Sequence, residues 1–224
     1  GLIHFHSNHS YDSVNSIESI ISFIEQESIN FLILTDHEKI SGSLELRESV
    51  SKRDINAIVP IAAEYKTDSG DLIAVFIKEE IRNMKAQSFI NEVHDQGGLV
   101  LLPHPYVGHK NLEKLITLVD LVETYNPRCS DEDNKKASEL ASKHMKPYYH
   151  GTDAHTMPEM KNALVELPTL NSEKELKSAL LNSICISKDR KKSLSRLVFF
   201  SQMVRGFKKN SIRIIAKNIL KILS

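Results

Sequence analysis

The chain has 224 residues, of which 41% are hydrophobic and 26% charged, and its 29 basic and 29 acidic side chains cancel. This composition excludes a largely disordered chain and favours one globular domain of catalytic size, with or without an appendage. No apolar run approaches the ~20 residues of a membrane span. Two cysteines, Cys129 and Cys185, cannot form a disulfide framework, and a cytoplasmic protein is therefore expected.

Short β-rich runs alternate with amphipathic segments of helical length along most of the chain. Predicted strands cover residues 2–6, 31–37, 57–65, 72–77, 99–105, 118–126 and 148–155. Predicted helices cover residues 16–29, 43–52, 83–96, 112–118, 131–143 and 172–181. A turn rich in Gly and Asp joins the third and fourth strands and predicts a hairpin. The alternation is otherwise typical of a parallel α/β sheet or barrel.

The charge is distributed unevenly along the chain. Residues 188–224 hold 11 basic residues and one acidic residue, so this segment carries a formal charge of +10 and the remainder −10. The strand and helix alternation ends at the same place. We therefore predict an α/β catalytic domain over residues 1–187 and a basic helical tail over residues 188–224.

Most predicted strands end in a histidine or an acidic residue. In a parallel α/β barrel, active sites are built at that edge. Residues two apart on a strand point the same way, so His4 and His6 can reach one ion, as can Asp153 and His155. The other candidate ligands are His37, Glu64, His104, Asp12 and Asp71.

Each of these features has an ordinary structural explanation when it is taken alone. A strand-end Asp often caps the next helix, and His-Pro is common in turns, although Pro105 also predicts an extended backbone at His104. Chance explains the combination poorly. Mixed imidazole and carboxylate ligands suit zinc, manganese or iron better than calcium or magnesium. Eight or nine ligands exceed the needs of one ion and predict two or three divalent metals with a bridging carboxylate.

These residues resemble the motifs of the PHP (polymerase and histidinol phosphatase) domain family, which are H-x-H, T-D-H, a lone Glu, H-P and D-x-H in this order. The matching segments, within roughly residues 1–167, are HFHSNHSYDS, LTDHE, LLPHPY and GTDAHT. The resemblance implies a distorted (β/α)7 barrel with a metal cluster at the C-terminal edge of the strands. It also implies three ligand sets: His4, His6, Glu64 and Asp153; Glu64 and His104; and Asp12, His37 and His155.

One position departs from the family pattern. Members usually supply another histidine to the second metal at the start of the strand after the glutamate, and here that place reads Gly70, Asp71 and Leu72. We predict that Asp71 is a substitute ligand. A weak second site and an ordinary turn aspartate are the alternatives, so the sequence leaves two and three metals open.

Metals a few ångströms apart suit the hydrolysis of phosphate esters. The expected activity is that of a histidinol-phosphatase-like hydrolase that cleaves a small phosphomonoester, a metabolite or a phosphorylated carbohydrate, with a metal-bridged hydroxide. The sequence has no Cys-x5-Arg, G-x-S-x-G, Walker A or G-x-G-x-x-G motif. A nuclease acting on oligonucleotides and a degenerate metal-binding or regulatory module are the alternatives, and no obligate nucleic-acid partner is predicted.

A cation beside the metals is needed to recognise the substrate phosphate. Arg128 is the predicted phosphate clamp, because a guanidinium can donate two parallel hydrogen bonds to a phosphoryl group. Asn126 and Lys39 are further candidates for substrate binding, and His9 is a candidate proton donor. The remaining histidines His94, His109 and His144 are interpreted as structural or exposed.

The end of the basic tail has the pattern of an amphipathic helix, with Arg213, Lys217 and Lys221 on one face. Its apolar face would present Ile212, Ile215, Ile219 and Ile222. Packing against the acidic domain is the favoured interpretation. Peripheral docking to an anionic membrane surface and binding of a polyanionic substrate are the alternatives.

Overall fold

The computed structural model describes residues 1–182 and 185–223, and for residues 217 and 219–223 it describes the backbone alone. The strands are β1 (Leu2–Phe5), β2 (Leu32–Leu34), β3 (Ala62–Thr67), β4 (Gly70–Val75), β5 (Leu99–Leu102), β6 (Leu121–Tyr125) and β7 (Tyr148–His150). The helices are α1 (Ile17–Glu27), α2 (Ser41–Lys52), α3 (Ala86–Asp95), α4 (Leu112–Leu118), α5 (Asp131–Lys143), α6 (Glu173–Asn182), α7 (Ser195–Lys208) and α8 (Ile212–Leu223). A 3₁₀ helix spans Met157–Glu159.

The α/β class and the β3–β4 hairpin are confirmed, whereas the described strands of the predicted distorted (β/α)7 barrel do not close into one sheet. In the described ranges, β1 and β2 form a parallel pair, and the other strands form a sheet in the order β3-β4-β5-β6-β7. β4 runs antiparallel to both neighbours because the tight turn after β3 reverses the chain. Isolated bridges and single backbone hydrogen bonds connect the two sheets, with bridges at Phe31 with Ile58 and His37 with Glu64 on one side and at Phe5 with Ala154 on the other. Regular pairing therefore stops at the two seams where a barrel would close.

Apolar residues at helical spacing hold the helices against the strands. In α1, the inward face carries Ile17, Ile20, Ile21 and Ile24, all buried, and the helix begins where the Ser16 side chain accepts a hydrogen bond from the Ser19 backbone N–H. This face packs on buried residues of β1 and β2. A second cluster joins β3, β4 and β5 to α3. The strands are thereby fixed with their polar ends at a common edge.

Three candidate ligands at this edge have left-handed backbone conformations: the φ angles of His4, His104 and Asp153 are 61°, 29° and 46°. The extended backbone predicted for His104 from the following proline is therefore wrong. Its N–H donates to Glu123 Oε2 over 2.7 Å, and this bond holds the unusual conformation. Positive φ values at non-glycine residues concentrate at functional sites, where the surrounding structure enforces them.

The C-terminal segment contains two helices, α7 and α8, and α7 contacts the loop after β1 through Lys208. None of the described helices combines the length and the apolar character that crossing a membrane requires. Parts of the two predicted faces of α8 lie outside the described residues, namely the side chains of Lys217, Ile219, Lys221 and Ile222.

Candidate metal centre

The first predicted ligand set comes together at the end of β1. His4 Nε2 lies 3.7 Å from Glu64 Oε2 and 3.6 Å from Asp153 Oδ1, and His6 Nε2 lies 3.5 Å from both oxygens. Both imidazoles and Glu64 are buried, and Asp153 is the most exposed of the four. Two nitrogens and two carboxylates thus surround a single point.

The second predicted set lies on the other side of Glu64. His104 Nε2 is 3.2 Å from Glu64 Oε1, and ligand atoms of Glu64, His104 and Asp71 all lie within 4.8 Å of one another. Asp71 reaches this place because β4 pairs with β3 with Asp71 opposite Lys66, whose Nζ lies 3.1 Å from Asp71 Oδ1. The structure therefore places Asp71, the residue that differs from the family pattern, beside Glu64 and His104.

The third predicted set is built around Asp12, in the loop after β1. His37 Nε2 lies 3.2 Å from Asp12 Oδ2, and His155 Nε2 lies 3.4 Å from Asp12 Oδ1. The His6 ring links this set to the first, since its centroid is 4.4 Å from that of His37 and 4.3 Å from that of His155. His37 Nδ1 is also 3.2 Å from Glu64 Oε2, so Glu64 touches all three sets.

The unpaired polar atoms of this cluster fit metal ions. His4 Nε2, His6 Nε2 and Asp12 Oδ1 are buried without a hydrogen-bond partner, and buried polar atoms are otherwise nearly always paired. All three point toward oxygens or nitrogens at distances too long for good hydrogen bonds. Imidazole and carboxylate ligands in this mixture are those that zinc, manganese and iron prefer.

The electrostatics of the cluster point to the same conclusion. Burial would raise the pKa of Glu64, but His37 and the neighbouring imidazoles hold it well below its usual range. Burial would also lower the pKa of His37, but Glu64 and Asp12 raise it to about 10. The pKa of His6, by contrast, falls to about 4 through burial and the neighbouring His155 and His37. The imidazoles around Glu64 therefore stabilise its ionised form, and a bound divalent ion would supply positive charge at the same place.

Glu123 supports the ligands and was missed by the sequence analysis. Its fully buried carboxylate accepts hydrogen bonds from His4 Nδ1 (2.8 Å) and from the His104 backbone N–H (2.7 Å). A Cβ at Gly151 would collide with Glu123 Oε1, so glycine permits this approach. Such a carboxylate fixes the tautomer of a ligating imidazole and leaves Nε2 for the metal. An acidic residue inside an apolar strand was the signal that the sequence offered.

Asp36 orders the loop that follows His6. It accepts hydrogen bonds from the Ser7 N–H (2.8 Å), Ser7 Oγ (2.6 Å) and Ser10 Oγ (2.7 Å). Ser10 Oγ in turn lies 3.3 Å from His6 Nδ1. The aspartate of the T-D-H motif therefore positions the first ligands while the adjacent His37 faces the cluster.

The predicted phosphate clamp Arg128 lines the same cleft. Its Nη1 donates to His155 Nδ1, its Nη2 donates to Ser201 Oγ over 2.5 Å, and its Nε lies 3.6 Å from Glu159 Oε1. The Asn126 amide instead donates to Glu123 Oε2 (2.9 Å) and Asp153 Oδ2 (3.2 Å) behind the ligands. Arg128 is thus placed where an anion could reach it, and Asn126 lies outside the cleft lining.

The remaining candidates for substrate contact lie away from the cleft lining. His9 bonds through both ring nitrogens to α2, to Ser41 Oγ (2.9 Å) and Glu45 Oε2 (2.8 Å), and Lys39 is exposed on the loop before that helix. His109 lies beside the second predicted ligand set, where its Nε2 donates to the Asp71 carbonyl oxygen over 2.7 Å. Only its proximity to His104 in sequence could have indicated this.

The metal ligands open into a cleft of about 420 Å³. Its lining combines candidate ligands, Arg128 and Tyr11 with residues of α7. The Tyr11 ring stacks on His37 with centroids 4.6 Å apart and planes at 10°. A cleft of this size is in the range of roughly 300–1,000 Å³ that holds small-molecule ligands.

The sequence matches the PHP domain over residues 3–176. It is also 32% identical over 184 residues to the uncharacterised protein MJ0417 of Methanocaldococcus jannaschii, covering 77% of this chain and 72% of that protein. The chain therefore belongs to the PHP-domain family. Residues 195–223, which form α7 and α8, lie beyond the matched domain.

Solved structures show the same fold. One is a two-domain protein from Bacteroides vulgatus containing a predicted PHP-like metal-dependent phosphoesterase, with a TM-score of 0.68, 15% identity and coverage of 84% of this chain. This chain spans 63% of that protein, less than two thirds. Endonuclease Q, solved with a 27-mer duplex carrying an abasic lesion, has a TM-score of 0.57 and 14% identity, with coverage of 80% of this chain and 55% of that one. At these identities the likeness extends to the fold alone.

Proposed function

We propose that the chain is a metal-dependent phosphoesterase that hydrolyses a small phosphomonoester. The observation that carries this proposal is the convergence of three ligand sets on Glu64 at the base of one cleft that also contains Arg128. Two or three divalent ions, when bound, would lower the pKa of a water to roughly 7 and neutralise charge on phosphoryl oxygens. The proposed ions are zinc, manganese or iron.

The residues of the chain then have distinct roles. Glu64 connects the three ligand sets, Glu123 holds His4 in the tautomer that presents Nε2, and Arg128 offers guanidinium donors to a phosphate in the cleft. No nucleophilic side chain is required, because the attacking group in this chemistry is a water.

The size of the cleft favours a small substrate over a nucleic acid. A nuclease is the second candidate, supported by the fold shared with Endonuclease Q and by the basic C-terminal segment. That function predicts activity on oligonucleotides that falls steeply with salt. Histidinol phosphate is one member of the small phosphomonoester class to test. A degenerate module would bind metal without turnover.

The decisive experiment compares hydrolysis of 4-nitrophenyl phosphate by the wild type and by the Asp153→Asn and Asp95→Asn variants after supply of zinc, manganese or iron. Asp95 is exposed and distant from the ligands, so it provides the matched control. Loss of a ligand should reduce kcat by more than the 10–100-fold effect of losing a supporting residue, that is by at least about 100-fold. Activity retained by Asp153→Asn, or absent from the wild type, would refute the proposal.

Two further proposals concern the setting of the enzyme. We propose a cytoplasmic location, on the basis of the low cysteine content. Peripheral contact of the basic tail with an anionic membrane stays a prediction, and binding of the full chain to phosphatidylserine vesicles at low salt, reversed at high salt, would support it. Equal binding to neutral vesicles would contradict it.

A further inference from the structure

Helix α7 forms a wall of the metal cleft. The residues that it contributes, at helical spacing along one face, are Val198, Gln202, Arg205 and the following Lys209. These positions lie beyond residues 3–176, which match the PHP domain. The wall that α7 forms therefore lies outside the segment that matches the PHP domain.

Two of these residues bring positive charge to the cleft. The Arg205 guanidinium carbon lies 5.2 Å from the centroid of the Tyr11 ring, and Lys209 Nζ lies 3.5 Å from it. The same ring stacks on the candidate ligand His37. A single aromatic side chain thus separates the two cations from the metal ligands, and it orients them by cation–π contact.

These two cations lack acidic partners within the described part of the chain. No carboxylate oxygen there lies within 4.0 Å of Arg205 or Lys209, whereas Lys66 and Arg128 at the same cleft are each paired with a carboxylate. Arg205 Nε is in addition buried without a hydrogen-bond partner. Because Arg205 lines the cleft and has no carboxylate partner among the described residues, an anion bound there would supply its guanidinium with a strong acceptor.

The position of α7 is fixed by hydrogen bonds to the loop that carries the metal ligands. Lys208 Nζ donates to the carbonyl oxygens of Asn8 (2.9 Å), Ser10 (2.8 Å) and Ser13 (2.9 Å). Arg128 Nη2 bonds Ser201 one helical turn before Arg205. The cations are therefore held at a set distance from the cluster, as specificity for a substrate requires.

We propose that Arg205 and Lys209 bind a second anionic group of the substrate, so that the physiological substrate is a phosphomonoester that also bears a carboxylate or another phosphate. This inference rests on the proposed function, because it assumes that the phosphoryl group of the substrate binds at the metal ligands while the second anionic group reaches Arg205 and Lys209. Two of the 11 basic residues of segment 188–224 then contribute to substrate recognition.

The test uses phosphonates, which resemble phosphomonoesters but are not hydrolysed. Calorimetry on the metal-loaded protein would compare ω-phosphonocarboxylates of two to four carbons with alkylphosphonates of equal length, and 1,3-propanediphosphonate would probe a second phosphate. At one length or more, the second anionic group should improve the Kd of the wild type at least tenfold. This gain should disappear in the Arg205→Gln/Lys209→Gln variant and persist in Arg196→Gln, an exposed cation of the same helix outside the cleft.

A charge-retaining variant separates recognition from folding. Arg205→Lys/Lys209→Arg should keep most of the gain if charge is what matters, and melting temperatures would show whether α7 stays docked. The inference is overturned if the wild type shows no gain at any length, or if the double Gln variant retains it. Turnover of 4-nitrophenyl phosphate by the wild type is measured separately. Inactivity in that assay would refute the proposed function, whereas the calorimetric affinities alone test the role of Arg205 and Lys209.

Discussion

His4 Nδ1 donates a hydrogen bond to Glu123 Oε1 over 2.8 Å, and both side chains are fully buried. The two residues are 119 positions apart, on β1 and β6. Burial would lower the pKa of His4, but Glu123 and Asp153 raise it well above its usual value. The carboxylate therefore controls both the orientation and the basicity of a candidate ligand.

Replacement of Glu123 by Gln should weaken metal binding. Glutamine keeps the shape but removes the negative charge and the fixed acceptor, and supporting carboxylates of this kind contribute roughly 10–100-fold to metal affinity. Competitive titration with a zinc chelator would measure the change. The exposed Glu139→Gln variant is the control, and equal affinities in the two variants would show that Glu123 does not tune the site.

Variants of Asp71 test whether this aspartate replaces the family's usual histidine as a metal ligand. Because Glu64 and His104 supply only two ligands to the second position, Asp71→Ala should lower the metal content by one ion per chain, and Asp71→His should preserve it. Elemental analysis with Asp95→Ala as a control measures this. A full complement of metal in Asp71→Ala would mean that the aspartate only closes the hairpin.

Arg128→Ala should reduce kcat/KM for an aryl phosphate at least tenfold, which corresponds to about 1.4 kcal/mol of lost transition-state stabilisation. The loss should lie mainly in KM, because a guanidinium that contacts the substrate phosphate equally in the ground state and in the transition state contributes uniform binding. Arg196→Ala, on the exposed side of α7, is the control. A kcat/KM within twofold of the wild type would remove Arg128 from the proposed clamp, provided the melting temperature is unchanged.

The lowered pKa of the buried His150 predicts that the folded protein is less stable in mild acid. Burial, with a smaller effect of Arg190, lowers its pKa from 6.5 to about 4, and the Ser187 N–H donates to its Nδ1 over 3.0 Å. The unfolded chain therefore binds more protons than the folded one between these pH values. The free energy of unfolding should fall as the pH drops from 6.5 to 4.

His150→Asn keeps an acceptor for the Ser187 N–H and removes the titration. Its free energy of unfolding, measured with urea across the same pH window, should depend less on pH than that of the wild type. Identical slopes for the two proteins would show that His150 does not contribute to the acid sensitivity.

Much of this structure could be predicted from local sequence patterns. α4 and α5 have the predicted limits, and the residues of the three predicted ligand sets lie close together, because strand-end residues and helical periodicity are local features. The division of the strands into two sheets could not be predicted, because it depends on how many residues of β2 and β3 pair with each other.

The features that escaped prediction depend on distant contacts. The positive φ of His104 follows from a hydrogen bond to Glu123, and this bond overrides the preference imposed by Pro105. Likewise, no local pattern in residues 195–208 specifies which surface α7 meets. Its placement over the cleft follows from the bonds of Lys208 to the loop after β1.

The most direct test of the account is the metal content of the full chain, measured by elemental analysis after loading with zinc, manganese or iron and removal of excess ions. We predict two or three ions per chain in the wild type and fewer in His4→Ala, which removes a buried candidate ligand of the first set. Less than one ion per chain with every metal, or an unchanged content in His4→Ala, would contradict it.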